Sequence, residues 1–132
     1  MADRGSVLPA IAVIALGGVL IIGIGFDLAR WGASWREAAY AADVGAEAGA
    51  AMIDEAAALS GDVSIDEHLA AAIAVDAALQ ARERDGRAAT VTVSGDQVCV
   101  RVEQPFRATV ARIASIENLA VAVEACARPA QG

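Results

Sequence analysis

VLPAIAVIALGGVLIIGIGF, residues 7–26, is an unbroken run without a charged or strongly polar side chain. Coiled as an α-helix, a run of this length rises about 30 Å, the thickness of a bilayer's hydrocarbon core. It reads as a transmembrane helix behind a short tail of residues 1–6. The rest of the chain, about a hundred residues, is enough for one small domain and not two. Pro9 lies in the first turn, where its missing N–H is harmless. Gly17, Gly18, Gly23 and Gly25 interrupt the span. Gly25, Ala29 and Ala33 recur every fourth residue, a helix-packing stripe that lets a second helix approach closely.

Asp27 and Arg30 end the run, three apart and able to pair on one helix face. Trp31 and Trp35 follow, with Tyr40 beyond. Rings with a polar handle prefer the headgroup zone, so Asp27, Arg30, Trp31 and Trp35 mark the expected membrane boundary. The run is long for the apolar core of a signal peptide, and Gly32-Ala33-Ser34 is a poor cleavage site, so the expectation is an uncleaved anchor. Arg4 on one flank and Arg30 with Arg36 on the other nearly balance the positive-inside count, leaning slightly against an exported body. Two cysteines in a small domain lean towards an oxidising compartment. The favoured topology is a cell-membrane protein, single-pass, with an extracytoplasmic C-terminal body.

The chain carries 17 acids against 10 basic residues, every one of the latter arginine, for a net charge of −7. Nearly all the acids follow residue 30. This balance argues against nucleic acid as a partner and against a polybasic patch for a membrane surface. The chain is rich in alanine and poor in Leu and Phe. Ala-rich helices bury little area per residue and pack by close backbone approach.

Beyond the boundary, helical spacing continues from Ser34 to about Leu59, with Ala42, Ala46, Ala50, Ile53 and Ala57 as its apolar stripe. Residues 27–59 are therefore expected to extend the membrane helix. Ser60-Gly61-Asp62 breaks it, and residues 60–132 are read as a small α+β domain. Ser64 and Glu67 have capping-box spacing ahead of a second helix, from Ile65 to about Arg84. Its buried face is traced through Leu69, Ile73 and Leu79. Asp85-Gly86 stops it.

The period then changes. Val91 and Val93, then Val98, Val100 and Val102, alternate with polar residues around Gly95-Asp96, a two-residue hairpin turn with glycine first. After Pro105 the spacing of Phe106, Val110, Ile113 and Ile116 is again helical. A last strand runs from Leu119 to Ala127. The fold class is α+β, with an antiparallel sheet of about three strands.

Cys99 and Cys126 both fall on the polar face of their strands. Antiparallel pairing with Cys99 opposite Cys126 also sets Arg101 opposite Glu124, Val100 opposite Ala125 and Val102 opposite Val123. The parallel alternative sets Arg101 against Arg128. Charge complementarity favours the antiparallel register and a disulfide; two free thiols in a cytoplasmic domain are the alternative. The spacing is not that of a CxxC redox or zinc site.

His68 is the single histidine, placed on a solvated helix face. No nucleophile elbow, phosphate-binding glycine loop, HExxH or EF-hand spacing occurs. Adjacent acids such as Asp54-Glu55 and Asp66-Glu67 splay apart on a helix. No catalytic residue, cofactor or metal is expected, and the chain is not read as an enzyme.

The head ending at Arg4-Gly5, the apolar helix, Asp27 and Arg30, and the stretch with Arg36, Ala39, Ala41, Ala42 and Asp43 together resemble the opening of TadE/TadG-like pilus-assembly proteins. These belong to tight-adherence (Flp pilus) secretion systems. The hairpin VTVSGDQVCVRV (residues 91–102), Pro105 and a strand ending Ala125-Cys126-Ala127-Arg128-Pro129 are similar to the tail of short members. The resemblance implies a pseudopilin-like minor subunit whose Ala-rich helix packs against like helices in a homo- or hetero-oligomer. Its partners would be other pilin-like or Tad-system membrane proteins and lipid. It also implies possible prepilin processing between Gly5 and Ser6. Processed pilins carry a Glu five residues beyond the cleavage glycine; here that position is Ala10, which argues against cleavage. The alternative reading is a membrane-tethered exported binding domain without a pilus role.

Overall fold

Val7 to Ala50 form one continuous helix, α1, of 44 residues, about 66 Å long at the standard rise. The computed structural model describes residues 7–61, 63–82, 84–110 and 119–130. After α1 come α2 (Glu55–Leu59), α3 (Glu67–Gln80), β1 (Ala88–Ser94), β2 (Gln97–Phe106) and β3 (Leu119–Ala127). The class is α+β. The three strands form one antiparallel sheet in the order β1-β2-β3, with α1 lying over β2 and β3 and α3 over β1.

The helix extension is shorter than its pattern suggests. It stops at Ala50, not Leu59. Residues 52–54 run extended against 64–66: Asp54 N–H donates to Ser64 O and Asp66 N–H to Met52 O, around an Ile53–Ile65 bridge. Asp54 explains the break. Its carboxylate accepts from the N–H groups of Ala56 and Ala57, capping α2 and drawing the backbone out of the α1 ladder. The Ser64–Glu67 capping box does not form either. Asp66 is the N-cap of α3, accepting from Leu69 N–H at 3.0 Å. Ile65 is buried in the turn instead of starting the helix, and α3 ends at Gln80, short of Arg84.

The buried face of α3 is also not the expected one. Ala70, Ala74 and Ala78 are fully buried, whereas Leu69 and Leu79 are each more than a third exposed. The cause lies on α1. A Cβ added at Gly45 would stand 2.8 Å from Ala74 O and 2.9 Å from Ala78 Cβ. One added at Gly49 would stand 2.9 Å from both Ala74 Cβ and Val98 Cγ1. At this separation only a methyl fits between the helices, so the alanine face of α3 turns inward. Ala38, Ala41, Ala42, Ala46 and Ala50 of α1 complete the contact. The Ala-rich half of α1 thus packs within its own chain.

The sheet follows the expected register throughout. Cys99 lies opposite Cys126, Arg101 opposite Glu124, Val100 opposite Ala125 and Val102 opposite Val123. The β1–β2 hairpin closes through Gly95 (φ +59°) and Asp96, with Ser94 opposite Gln97. Val98, Val100, Val102, Gln104 and Phe106 form the buried face of β2. Phe106 therefore belongs to a strand, not to the helical segment expected after Pro105. Pro105 itself pairs with Ala120 in a part of β2 beyond the last β1 pair, Ala88–Glu103. A missing backbone donor is tolerated where a strand has one neighbour. Ile113 and Ile116 lie outside the described residues.

Gly45→Ala and Gly49→Ala should each destabilise the body by about 1–3 kcal/mol through overpacking, despite the helix-propensity gain of about 1 kcal/mol. Gly32, with nothing within 4 Å of its missing Cβ, should gain from the same change. Thermal unfolding in detergent, followed by near-UV circular dichroism, separates the two outcomes.

Candidate functional site

The first four turns of α1 are bare. Val7, Leu8, Ile11, Val13, Ile14, Leu16 and the apolar residues up to Phe26 are all largely exposed. This helix is long and apolar enough to cross a membrane, and none of its most apolar window is buried against the body. A core helix of a globular domain would be covered on at least one face. The contiguous apolar surface far exceeds what a monomer leaves in water.

The body meets the rod at a collar built on Asp27. Asp27 is buried at 8 % exposure. One carboxylate oxygen accepts from Thr109 N–H at 2.8 Å and the other from Val110 N–H at 2.7 Å. Such charge-assisted bonds to consecutive amides are stronger than neutral ones. Arg30 donates to the Thr109 hydroxyl at 3.0 Å, and its guanidinium lies 5.6 Å from the Phe26 ring centre. Below them, a Cβ on residue 23 would meet the Val110 side chain, so Gly23 lets Val110 sit against the helix in this position. Asp27 and Arg30 thus converge on one segment, residues 109–110.

A second polar cluster sits above the collar. Gln104 points inward among the valines of β2 and is 1 % exposed. Its amide donates to Ser34 O at 2.8 Å and Ser34 Oγ at 2.9 Å, tying the sheet to α1. Its carbonyl accepts from Arg87 Nε at 3.1 Å. Arg87 also donates to the carbonyls of Ala78, Ala81 and Arg82, the frayed end of α3. A cation suits a helix C-terminus on both hydrogen-bonding and dipole grounds. Glu37 accepts from both Arg84 and Arg87. Burial pulls the Arg87 guanidinium below its ordinary pKa and Arg84 adds to this, while Glu37 opposes it. An arginine so shifted still carries its charge. Among the described residues no buried side-chain polar atom lacks a partner. Composition concealed this cluster, but one signal was readable: Gln104 keeps the buried phase of Val98, Val100 and Val102.

The remaining expected residues are placed as follows. Trp31 and Trp35 are about half exposed on α1, on the turns just above Asp27. Tyr40 receives the Arg82 guanidinium at 5.9 Å from its ring centre. Gly25, Ala29 and Ala33 are exposed. Gly25 and Ala29 each lie about 160° round the helix from Asp27 and face away from the body, whereas Ala33 lies on the wall of a groove between α1 and the body. Cys99 and Cys126 are joined by a disulfide across β2 and β3, with Cα atoms 4.0 Å apart. Glu124 stands beside this pair, whose sulfurs are bonded to each other. His68 is exposed on α3. Gly5 and Ser6 lie outside the described residues.

Compared with known proteins, the chain matches no family model, no curated protein and no solved structure.

Two changes test these contacts. Asp27→Ala should speed amide exchange at Thr109 and Val110 by at least about tenfold, since bonds to a charged group contribute about 1.5–3 kcal/mol each. Cys99→Ala/Cys126→Ala should lower body stability by about 3–4 kcal/mol, the chain-entropy value for a loop of this length. Denaturant titration of oxidised, reduced and mutant protein measures the second effect.

Proposed function

We propose that this chain is a single-pass membrane-anchored structural subunit, a TadE/TadG-like, pseudopilin-like component of a Tad (Flp)-type pilus or secretion system. The observation that carries the reading is the bare apolar rod, continuous with the helix that walls the body's core. Lipid or other apolar helices are the environments in which such a rod is stable. Gly25 and Ala29 of the small-residue stripe face away from the body and support helix-to-helix assembly at the base of the rod. The Cys99–Cys126 disulfide supports an extracytoplasmic body, because such bonds persist in oxidising compartments. The partners in this reading are membrane lipid and other pilin-like helices.

One observation favours the second reading, a tethered exported binding domain. The alanine face of α1 is covered by the chain's own α3 and sheet, and the face it leaves exposed there carries Arg36, Tyr40, Asp43 and Glu47, not small residues.

Cysteine crosslinking in native membranes separates the two. An assembly subunit should form dimers or mixed crosslinks from Gly25→Cys, Ala29→Cys or Ala33→Cys, and few from Leu20→Cys, half a turn round from Ala29. Crosslinks absent from all four positions would favour the tethered domain. Release of the protein from membranes by alkaline carbonate would overturn both readings.

A further inference from the structure

A groove of about 630 Å³ opens on the side of α1 just above the collar. Arg30, Ser34 and Glu37 of α1 form one wall, and Arg84, Phe106 and Arg107 the other. Its volume lies within the range of small-ligand sites. Its charge is opposite to that of the chain. Among the described residues three arginines line it, Arg30, Arg84 and Arg107, against the carboxylates of Glu37 and Asp85; the buried Arg87 and Asp27 lie behind this lining and offset each other. One of the two lining carboxylates is engaged already: Glu37 holds Arg84 and Arg87. Asp27 behind them holds the amides of Thr109 and Val110. Arg107 is exposed and has no partner among the described residues. The described lining is therefore positive in a chain of net charge −7. The sequence shows no polybasic run because these arginines are scattered along it; the fold brings them together.

Height along α1 identifies the occupant. Arg30 stands about 6 Å along the axis from Phe26, the last apolar residue of the rod, and Ser34 about 12 Å. The headgroup layer occupies about 5–7 Å on each side of the hydrocarbon core. The Arg30 end of the groove thus lies at phosphate level if the rod spans the bilayer. Guanidinium groups match phosphate oxygens in geometry as well as charge. Pro105 and Phe106 offer an apolar wall beside them.

We infer that this groove binds the headgroup of an anionic phospholipid, with Arg30 and Arg107 holding the phosphate. The inference rests on the membrane-anchor reading and adds a specific lipid contact to it. The site fixes the depth and tilt of the body on the bilayer surface.

The test uses the full chain reconstituted into vesicles of phosphatidylcholine alone, or of equal parts phosphatidylcholine and phosphatidylglycerol. Flotation reads insertion, and native mass spectrometry reads which lipids stay bound. Insertion should occur in both vesicle types. Phosphatidylglycerol should be enriched among retained lipids over its bulk share. Arg30→Gln and Arg107→Gln should each reduce that enrichment by about fivefold, the effect of one arginine at an anionic surface. Arg36→Gln, an exposed arginine outside the groove, should not. Insertion without phosphatidylglycerol enrichment, or enrichment equally lost in Arg36→Gln, would overturn the groove and leave the anchor standing. Failure to insert into either vesicle would remove the anchor as well. Circular dichroism of each variant separates lost binding from lost fold.

Discussion

The closeness of α1 to α3 and β2 is the constraint on which the body depends. The chain has few large apolar side chains to fill a core. It compensates by bringing backbones together: Gly45 and Gly49 leave no room for a Cβ, and Ala70, Ala74 and Ala78 supply methyl groups opposite. Such packing gains from many short contacts, not from a few large buried residues. The sheet closes the other side with Val98, Val100, Val102 and Val121. Because the same helix emerges as the apolar rod, the core and the rod share one backbone.

Polar groups do the joining that large side chains do elsewhere. Gln104 and Ser34 connect sheet to helix, Arg87 closes the end of α3, and Asp27 holds residues 109–110. Each is shielded from water, where a satisfied hydrogen bond is strong and a broken one is costly. These bonds also give direction. Alanine faces alone leave the rotation and sliding of one helix on another weakly specified.

What could be read in advance follows the same logic. Period-two alternation is high in contrast around Val98, Val100 and Val102, and two charges and two cysteines restricted the register further. The β2–β3 ladder was therefore legible residue by residue. The helices were not. In an Ala-rich segment the buried and exposed faces differ little in hydrophobicity. Leu69 and Leu79 looked like core because they are larger, yet the gap facing Gly45 and Gly49 admits only alanine. Asp54 looked like one more solvated acid on a long helix, and its capping role is visible only once the chain reverses there. Pro105 looked like a strand terminator, whereas β2 continues past it alongside β3. The rod was legible from its length and composition. The collar was not, since Asp27 and Thr109 are 82 residues apart.

The unbroken passage of α1 from rod to body has a geometric result. No hinge separates the two, and Gly23, Asp27 and Ser34 are all held by the body on one side of the helix. The compass bearing of the sheet is thereby locked to the bearing of the rod. A neighbour that seats against Ala29 finds the β-sheet pointing outward, away from the shared axis. In the assembly proposed above, copies repeated around that axis would present their disulfide-bonded sheets as an outer shell, with bare helices as the spindle.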